Sequence, residues 1–357
     1  MKKIILIPTS ISTHHAAIAA YGIKKDDKNT HVIFMSSEST EPISCHSKDI
    51  DQFIYFSKSS NTLSEIIHVL KEHKVDLLYP IDEEIIHLCI VNKDLLLKYT
   101  HLPCLPLEES FLIAQDKWKF VQLLRKNSCN VANSMPHDDK NTLPYPFLLK
   151  NLYGNYGVGI FLIKDKSEYE KHPYSKDFFC EEYISGFDVT CNMYCKNGTI
   201  LAYTIAKPYF DGDKKFTSKT HANTFYHDQK ILNLATKVVD ILQWNGLANL
   251  DIRYNEKEKS YIIIEMNPRF WGSMLGSIEA GVNFPYLMLN ETIDKKLQTK
   301  VTKDYTFYSL TYLLKNISLK NIMRIKNSAI KYRLHNLTAL QKILLVFLRH
   351  PLFGNRF

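Results

Sequence analysis

The 357-residue sequence predicts an α/β protein: a parallel α/β domain, then a two-part α+β body, then a basic helical tail. Three observations carry this. Strand and helix signals alternate through residues 1–105. Beyond residue 106 the strand signals come in pairs joined by turn residues. The excess of positive charge is confined to the end of the chain.

In the first stretch, residues 3–7 read as a buried strand and 14–22 as a helix. Residues 30–35 and 53–56 read as strands, and 62–73 as a helix with Leu63, Ile66, Ile67 and Leu70 on one face. A strand over 76–81 (DLLYPI) and a helix over 83–92 follow. Such alternation implies a parallel sheet covered on both faces. The turn after the first strand reads PTSIST, not G-x-G-x-x-G, so a dinucleotide site of the doubly wound type is unsupported.

Pro103 and Pro106 mark a boundary. In residues 106–187 the sequence predicts a helix over 108–126, a strand over 147–150 and a glycine-rich turn, GNYGVG, at 154–159. Strands over 160–164 and 178–184 follow. In residues 188–300, strands over 190–195 and 199–206 flank Asn197-Gly198, a strong hairpin signal. A helix is expected over 230–242, strands over 248–254 and 260–266 around the charged turn NEKEK, and a helix over 283–290. Residues 301–357 form the tail, read as mostly helical from Leu310.

Composition narrows the class. Apolar residues make up 45% and charged residues 23%, as in ordinary globular enzymes. Seven cysteines, an odd number, form no C-x-x-C pair, so reduced thiols in a cytoplasmic protein are expected rather than a complete disulfide framework. The apolar run at the start, Ile4 to Ile7, is too short for a signal sequence, and no segment approaches the ~20 apolar residues of a membrane span. Of 45 Lys and Arg, nine follow Asp304, where there is no acid at all; residues 1–304 therefore carry 36 bases against 37 acids.

Three constellations carry chemistry. Glu265 and Asn267 stand two apart on one strand and share a face, and Asp251 lies beside them if the two strands pair. Oxygen groups converging in this way suit Mg²⁺. Arg269, two residues on, would stabilise a phosphoryl group in transfer. Lys150 ends a strand before a loop with three glycines, whose backbone can approach and cradle phosphate. Taken alone, turn glycines in a flexible hairpin explain that loop equally well, and no Walker motif is present. The third constellation is FFCEEYISGFDVT, an acid pair ending a strand with Asp188 seven residues beyond Glu181. Acids there can accept hydrogen bonds from an amine or from ribose hydroxyls.

In this order the elements resemble the ATP-grasp superfamily, and within it the carbamoyl-phosphate-synthetase-like carboxylate–amine ligases. The run Glu265-Met266-Asn267-Pro268-Arg269-Phe270-Trp271-Gly272-Ser273 is similar to that group's E-x-N-P-R-F-x-G-S, and the resemblance extends over about residues 1–295. It implies that Lys117 and Lys150 bind ATP phosphates under a loop of Gly154, Gly157 and Gly159. Glu181 and the backbone near Tyr183 and Ile184 would meet adenine, and Asp188 the ribose. Asp251, Glu265 and Asn267 would hold two Mg²⁺ ions, with Mn²⁺ as a substitute; Asp251 stands where many relatives carry Glu. Arg269 would contact the γ-phosphate or an acyl phosphate. Lys219 and His221 are further phosphate or substrate contacts by the same resemblance. Small-molecule carboxylates and amines are the implied substrates, in cell-surface glycan or peptide-like metabolite synthesis. The alternatives are a small-molecule kinase of the same fold and a non-catalytic nucleotide-binding protein.

The tail from residue 305 mixes Leu, Ile, Val and Phe with Lys342, Arg349 and Arg356. Such a basic amphipathic segment can lie on the inner face of an anionic membrane, or pack on the body or on a second subunit of a homodimer. No nucleic-acid-binding motif accompanies the charge, so a nucleic-acid partner is not expected.

Overall fold

The computed structural model describes residues 2–10, 13–37, 47–57, 59–137, 143–154, 158–172, 174–209, 222–290 and 298–309. These form two compact units, one ending at Pro103 and the other running from Cys104 to Ser309.

The first unit contains β1 (Ile4–Thr9), α1 (Thr13–Asp26), β2 (His31–Ser36), β3 (Gln52–Tyr55), α2 (Thr62–Glu72), β4 (Leu77–Leu78), α3 (Glu83–Val91) and α4 (Lys93–Leu96). Its strands are parallel, in the order β3-β2-β1-β4. β1 and β2 are buried almost throughout, as their unbroken apolar runs require in a sheet with no solvent face. Asp82 caps α3 by accepting from the Ile85 N–H, and its other oxygen takes the Ser10 N–H at the end of β1.

The second unit holds α5 (Glu108–Gln115), α6 (Lys117–Lys126), β5 (Ser134–Pro136), β6 (Phe147–Asn151), β7 (Ile160–Ile163), α7 (Lys166–Tyr169) and β8 (Phe178–Glu182). It continues with β9 (Gly186–Lys196), β10 (Thr199–Pro208), β11 (Ala222–Tyr226), α8 (Gln229–Ile241), β12 (Gly246–Asn255), β13 (Ser260–Asn267), α9 (Met274–Glu279), α10 (Phe284–Leu289) and β14 (Tyr305–Tyr308). Two sheets result, a small one ordered β5-β8-β6-β7 and a large one ordered β13-β12-β9-β10-β11-β14. Every pairing in both is antiparallel, as hairpins demand.

Two expectations change. The single helix expected over 108–126 is two, broken at Asp116, whose backbone is extended. Its side chain takes the Lys119 N–H at 3.0 Å, and an aspartate that caps a new helix ends the old one. Within residues 301–357, set apart as a tail with helix read from Leu310, Tyr305–Tyr308 belongs instead to the large sheet as the edge strand β14, paired with β11. Tyr305, Thr306, Phe307 and Tyr308 are β-branched or aromatic, the side chains a strand packs well. Residues 310–357 lie outside the described residues, and no described helix is long and apolar enough to cross a membrane.

Candidate active site

β12 and β13 pair so that Asp251 faces Glu265 and Asn249 faces Asn267. Because partners in register share a face, the two carboxylates and the amides are brought together. Asn267 Nδ2 donates to Asp251 Oδ2 at 3.1 Å, and Arg269 Nη2 donates to Asn267 Oδ1 at 3.1 Å. A second Arg269 nitrogen, Nη1, donates to the Phe270 carbonyl at 2.9 Å. Burial, reinforced by the neighbouring Glu265, pushes Asp251 well above the usual carboxylate range, although Arg269 opposes this. Burial acts on Glu265 in the same sense, but Lys117 and Lys150 outweigh it and hold this carboxyl below its ordinary value.

These residues fit a divalent cation. Among the described residues no group of three or more His, Cys, Asp or Glu is arranged to hold a metal, so a softer ion with nitrogen or sulfur ligands has no candidate set. Asp251 and Glu265 offer carboxylate oxygens and Asn267 an amide oxygen beside its NH₂, and oxygen is the donor Mg²⁺ prefers. The like-charge pressure on Asp251 is what an added cation would relieve.

The small sheet supplies the positive side. Lys150 on β6 lies opposite Phe179 on β8, so Glu181 is its diagonal neighbour on the same face. Lys150 Nζ donates to Glu181 Oε1 at 3.0 Å, with both side chains 2% exposed. Burial lowers the Lys150 pKa, but Glu181, Glu265 and Asp251 together outweigh it, and the ammonium is held above its ordinary value. Lys117, the first residue of α6, reaches both the Gly154 carbonyl at 2.7 Å and Glu265 Oε2 at 3.4 Å. The strand before the glycine turn is tied to the same helix: Lys117 N–H bonds the Leu152 carbonyl, and the Tyr153 hydroxyl donates to Asp116. Gly154 and Gly159 both have positive φ, a conformation other residues adopt at a penalty.

The remaining expected residues fall into two groups. Asp188 is half-exposed and paired with Arg253 at 2.7 Å, while Arg253 Nε donates to the Ile184 carbonyl at 3.1 Å. Tyr183, next to Ile184 in the chain, is half-buried. Glu181, expected at adenine, is first of all the counter-ion of Lys150. Gly157, Lys219 and His221 lie outside the described residues. Sequence reasoning missed Asn249, which holds the Asn267 amide at 3.1 Å. Its signal was there: Asn249 precedes Asp251 by two on a strand and so had to share its face.

Residues 175–313 match a family model described as ATP-grasp in the biosynthetic pathway with Ter operon. The fold is similar to that of L-amino acid ligase from Bacillus licheniformis, with a TM-score of 0.66, 15% identity, and 86% of this chain and 79% of that one covered. Residues 175–313 therefore resemble an ATP-grasp domain, and the fold is of the ATP-grasp class. A second likeness of fold is to the biotin carboxylase domain of Hydrogenobacter thermophilus 2-oxoglutarate carboxylase, solved with MgADP, at a TM-score of 0.65 and 13% identity over 85% of this chain and 73% of that one. In sequence, the chain is 41% identical over 66 residues to a probable alpha-L-glutamate ligase of Haemophilus influenzae (strain 86-028NP). That match takes in 16% of this chain and only 22% of the relative.

Proposed function

We propose that this chain is an ADP-forming ligase of the ATP-grasp type that activates a carboxylate as an acyl phosphate and couples it to an amine. The observation that carries the reading is the cluster of contacts Lys150–Glu181, Lys117–Glu265, Asp251–Asn267 and Asn267–Arg269, with Lys150 close enough to Glu265 and Asp251 to feel their charge. They bring two lysines, three carboxylates, an amide and a guanidinium together from both sheets and α6. No protein nucleophile is required for this chemistry, and what is required is positioned charge.

In the first half-reaction a substrate carboxylate oxygen attacks the γ-phosphorus of ATP, and the bond to the β-bridging oxygen breaks to release ADP. In the second, an amine attacks the acyl carbon, phosphate leaves and the amine loses a proton. Asp251, Glu265 and the Asn267 oxygen would hold Mg²⁺, which neutralises phosphate charge when bound. Lys117 and Lys150 would bind phosphate oxygens, Lys117 exchanging its present partners for them. Arg269, fixed by Asn267 and Phe270, would stabilise the charge developing on the transferred group. The resemblance to proteins named for glutamate and L-amino acid ligation supports an amino acid as one coupling partner and a peptide-like product.

The test is an ADP-release screen that crosses amino acids and other carboxylates against amines, with hydroxylamine added to trap acyl phosphate. A hydroxamate in the presence of one acid, and an amide when its amine is supplied, is the expected result. A stable phosphorylated product would make the protein a kinase instead.

A further inference from the structure

Four strands of the large sheet carry polar side chains along one row. Thr204 on β10 is opposite Asn192 on β9, Asn192 is opposite Asn249 on β12, and Asn249 is opposite Asn267 on β13. The side chains join head to tail. Asn267 Nδ2 donates to Asn249 Oδ1 at 3.1 Å, Asn249 Nδ2 to Asn192 Oδ1 at 2.9 Å, and Asn192 Nδ2 to Thr204 Oγ1 at 3.1 Å. Thr204 Oγ1 in turn shares a hydrogen bond of 2.9 Å with Ser277 Oγ on α9. Asn192, Thr204 and Ser277 have no exposed surface, and Asn249 and Asn267 have very little.

Buried amides are a hazard to a fold, since one left unpaired costs about 1–3 kcal/mol. Aliphatic side chains would fill this face without that hazard, as Leu250 and Met266 fill the opposite one. The row also has a direction. Arg269 can only donate, so Asn267 must turn its oxygen toward it, and Asp251 accepts the other end of the same amide. From Asn267 each amide then points the same way as far as Thr204.

We propose that Asn249 and Asn192 are positioning residues for the cation–phosphate site: the row locks Asn267 with its oxygen, not its NH₂, on the Arg269 side. The inference rests on the ligase reading in taking Asn267 as a cation ligand. An amide free to rotate would present a donor to the cation for part of the time. Partners that orient a metal ligand change metal affinity by about 10- to 100-fold when removed.

Mn²⁺ is the probe, titrated by electron paramagnetic resonance into the full chain with a non-hydrolysable ATP analogue. Asn249→Leu is expected to weaken Mn²⁺ binding by about 10-fold or more. Asn192→Leu should weaken it less, and the near-isosteric Thr204→Val least but still measurably, with native circular dichroism retained. Should Asn249→Leu not fold, Asn192→Leu and Thr204→Val decide. Folded variants that bind Mn²⁺ as the unaltered chain does would overturn the inference and leave the ligase reading standing. An unaltered chain that binds no Mn²⁺ with the analogue would remove both.

Discussion

Asp251 and Glu265 stand directly opposite each other on β12 and β13, two carboxylates at one level of a buried sheet. Burial and this mutual repulsion leave Asp251 with a strongly raised pKa, so the site is strained toward cation binding. Asp251→Asn removes one charge while leaving an oxygen for the Asn267 amide. It is expected to leave the nucleotide-free chain as stable as before, or more stable by about 1 kcal/mol. Turnover should fall by about 10²-fold or more. Thermal melts with and without Mg²⁺–ATP check this, and the stabilisation by Mg²⁺–ATP should be lost in the variant. A variant that turns over normally would remove Asp251 from the site.

The Lys150–Glu181 pair is a second buried charge relationship, joined at 3.0 Å with each side chain 2% exposed. Breaking such a pair by changing one partner costs about 3–5 kcal/mol, because the survivor stays buried and unpaired. Lys150→Met and Glu181→Leu are each expected to fall in that range in denaturant titrations. The double variant should be much less destabilised than the sum of the two, since no orphan charge remains. It should nonetheless be inactive, because phosphate binding would lose its lysine.

The sequence made much of this legible for identifiable reasons. The apolar runs of β1 and β2 and the alternating helices between them fixed the parallel sheet, because a strand buried on both faces has no polar alternation to hide it. Asn197-Gly198 fixed the β9–β10 hairpin because few other residues tolerate its backbone, and both have positive φ. The spacing of Glu265, Asn267 and Arg269 placed the site on one face because strand periodicity is two. Short elements were not legible. β5, at three residues, and α7, at four, are too brief for any period to register. The row from Thr204 to Asn267 was also hidden, since it depends on register across four strands and no one strand contains it.

Arg269 uses two separate nitrogens, one on the Asn267 oxygen and one on the Phe270 carbonyl. Lysine keeps the charge but cannot reproduce that fork. Arg269→Lys is therefore expected to lower kcat by about 10²- to 10³-fold, as loss of a transition-state charge contact does. The KM for ATP should change far less. A large rise in KM with kcat preserved would assign Arg269 to ground-state binding instead.

Asp51 offers a pH test in the first unit. Its Oδ2 accepts from Lys24 Nζ at 2.6 Å and from the Val32 N–H at 2.8 Å, and His31 Nδ1 lies 3.6 Å away. Burial opposes the charged form, but Lys24 and the Val32 amide prevail and hold the carboxyl below its ordinary value. Burial also lowers His31, so near neutral pH the imidazole is uncharged and Lys24 is the partner that matters. A carboxyl with a depressed folded-state pKa contributes its stability fully above the unfolded value of ~3.9, and loses it as pH falls through the folded one. The stability difference between the unaltered chain and Asp51→Asn should thus be constant near neutral pH and shrink only below about pH 4. Urea titrations of both proteins from neutral to acid pH measure it, and a difference that instead grew on acidification would show that Asp51 is not held ionised by these partners.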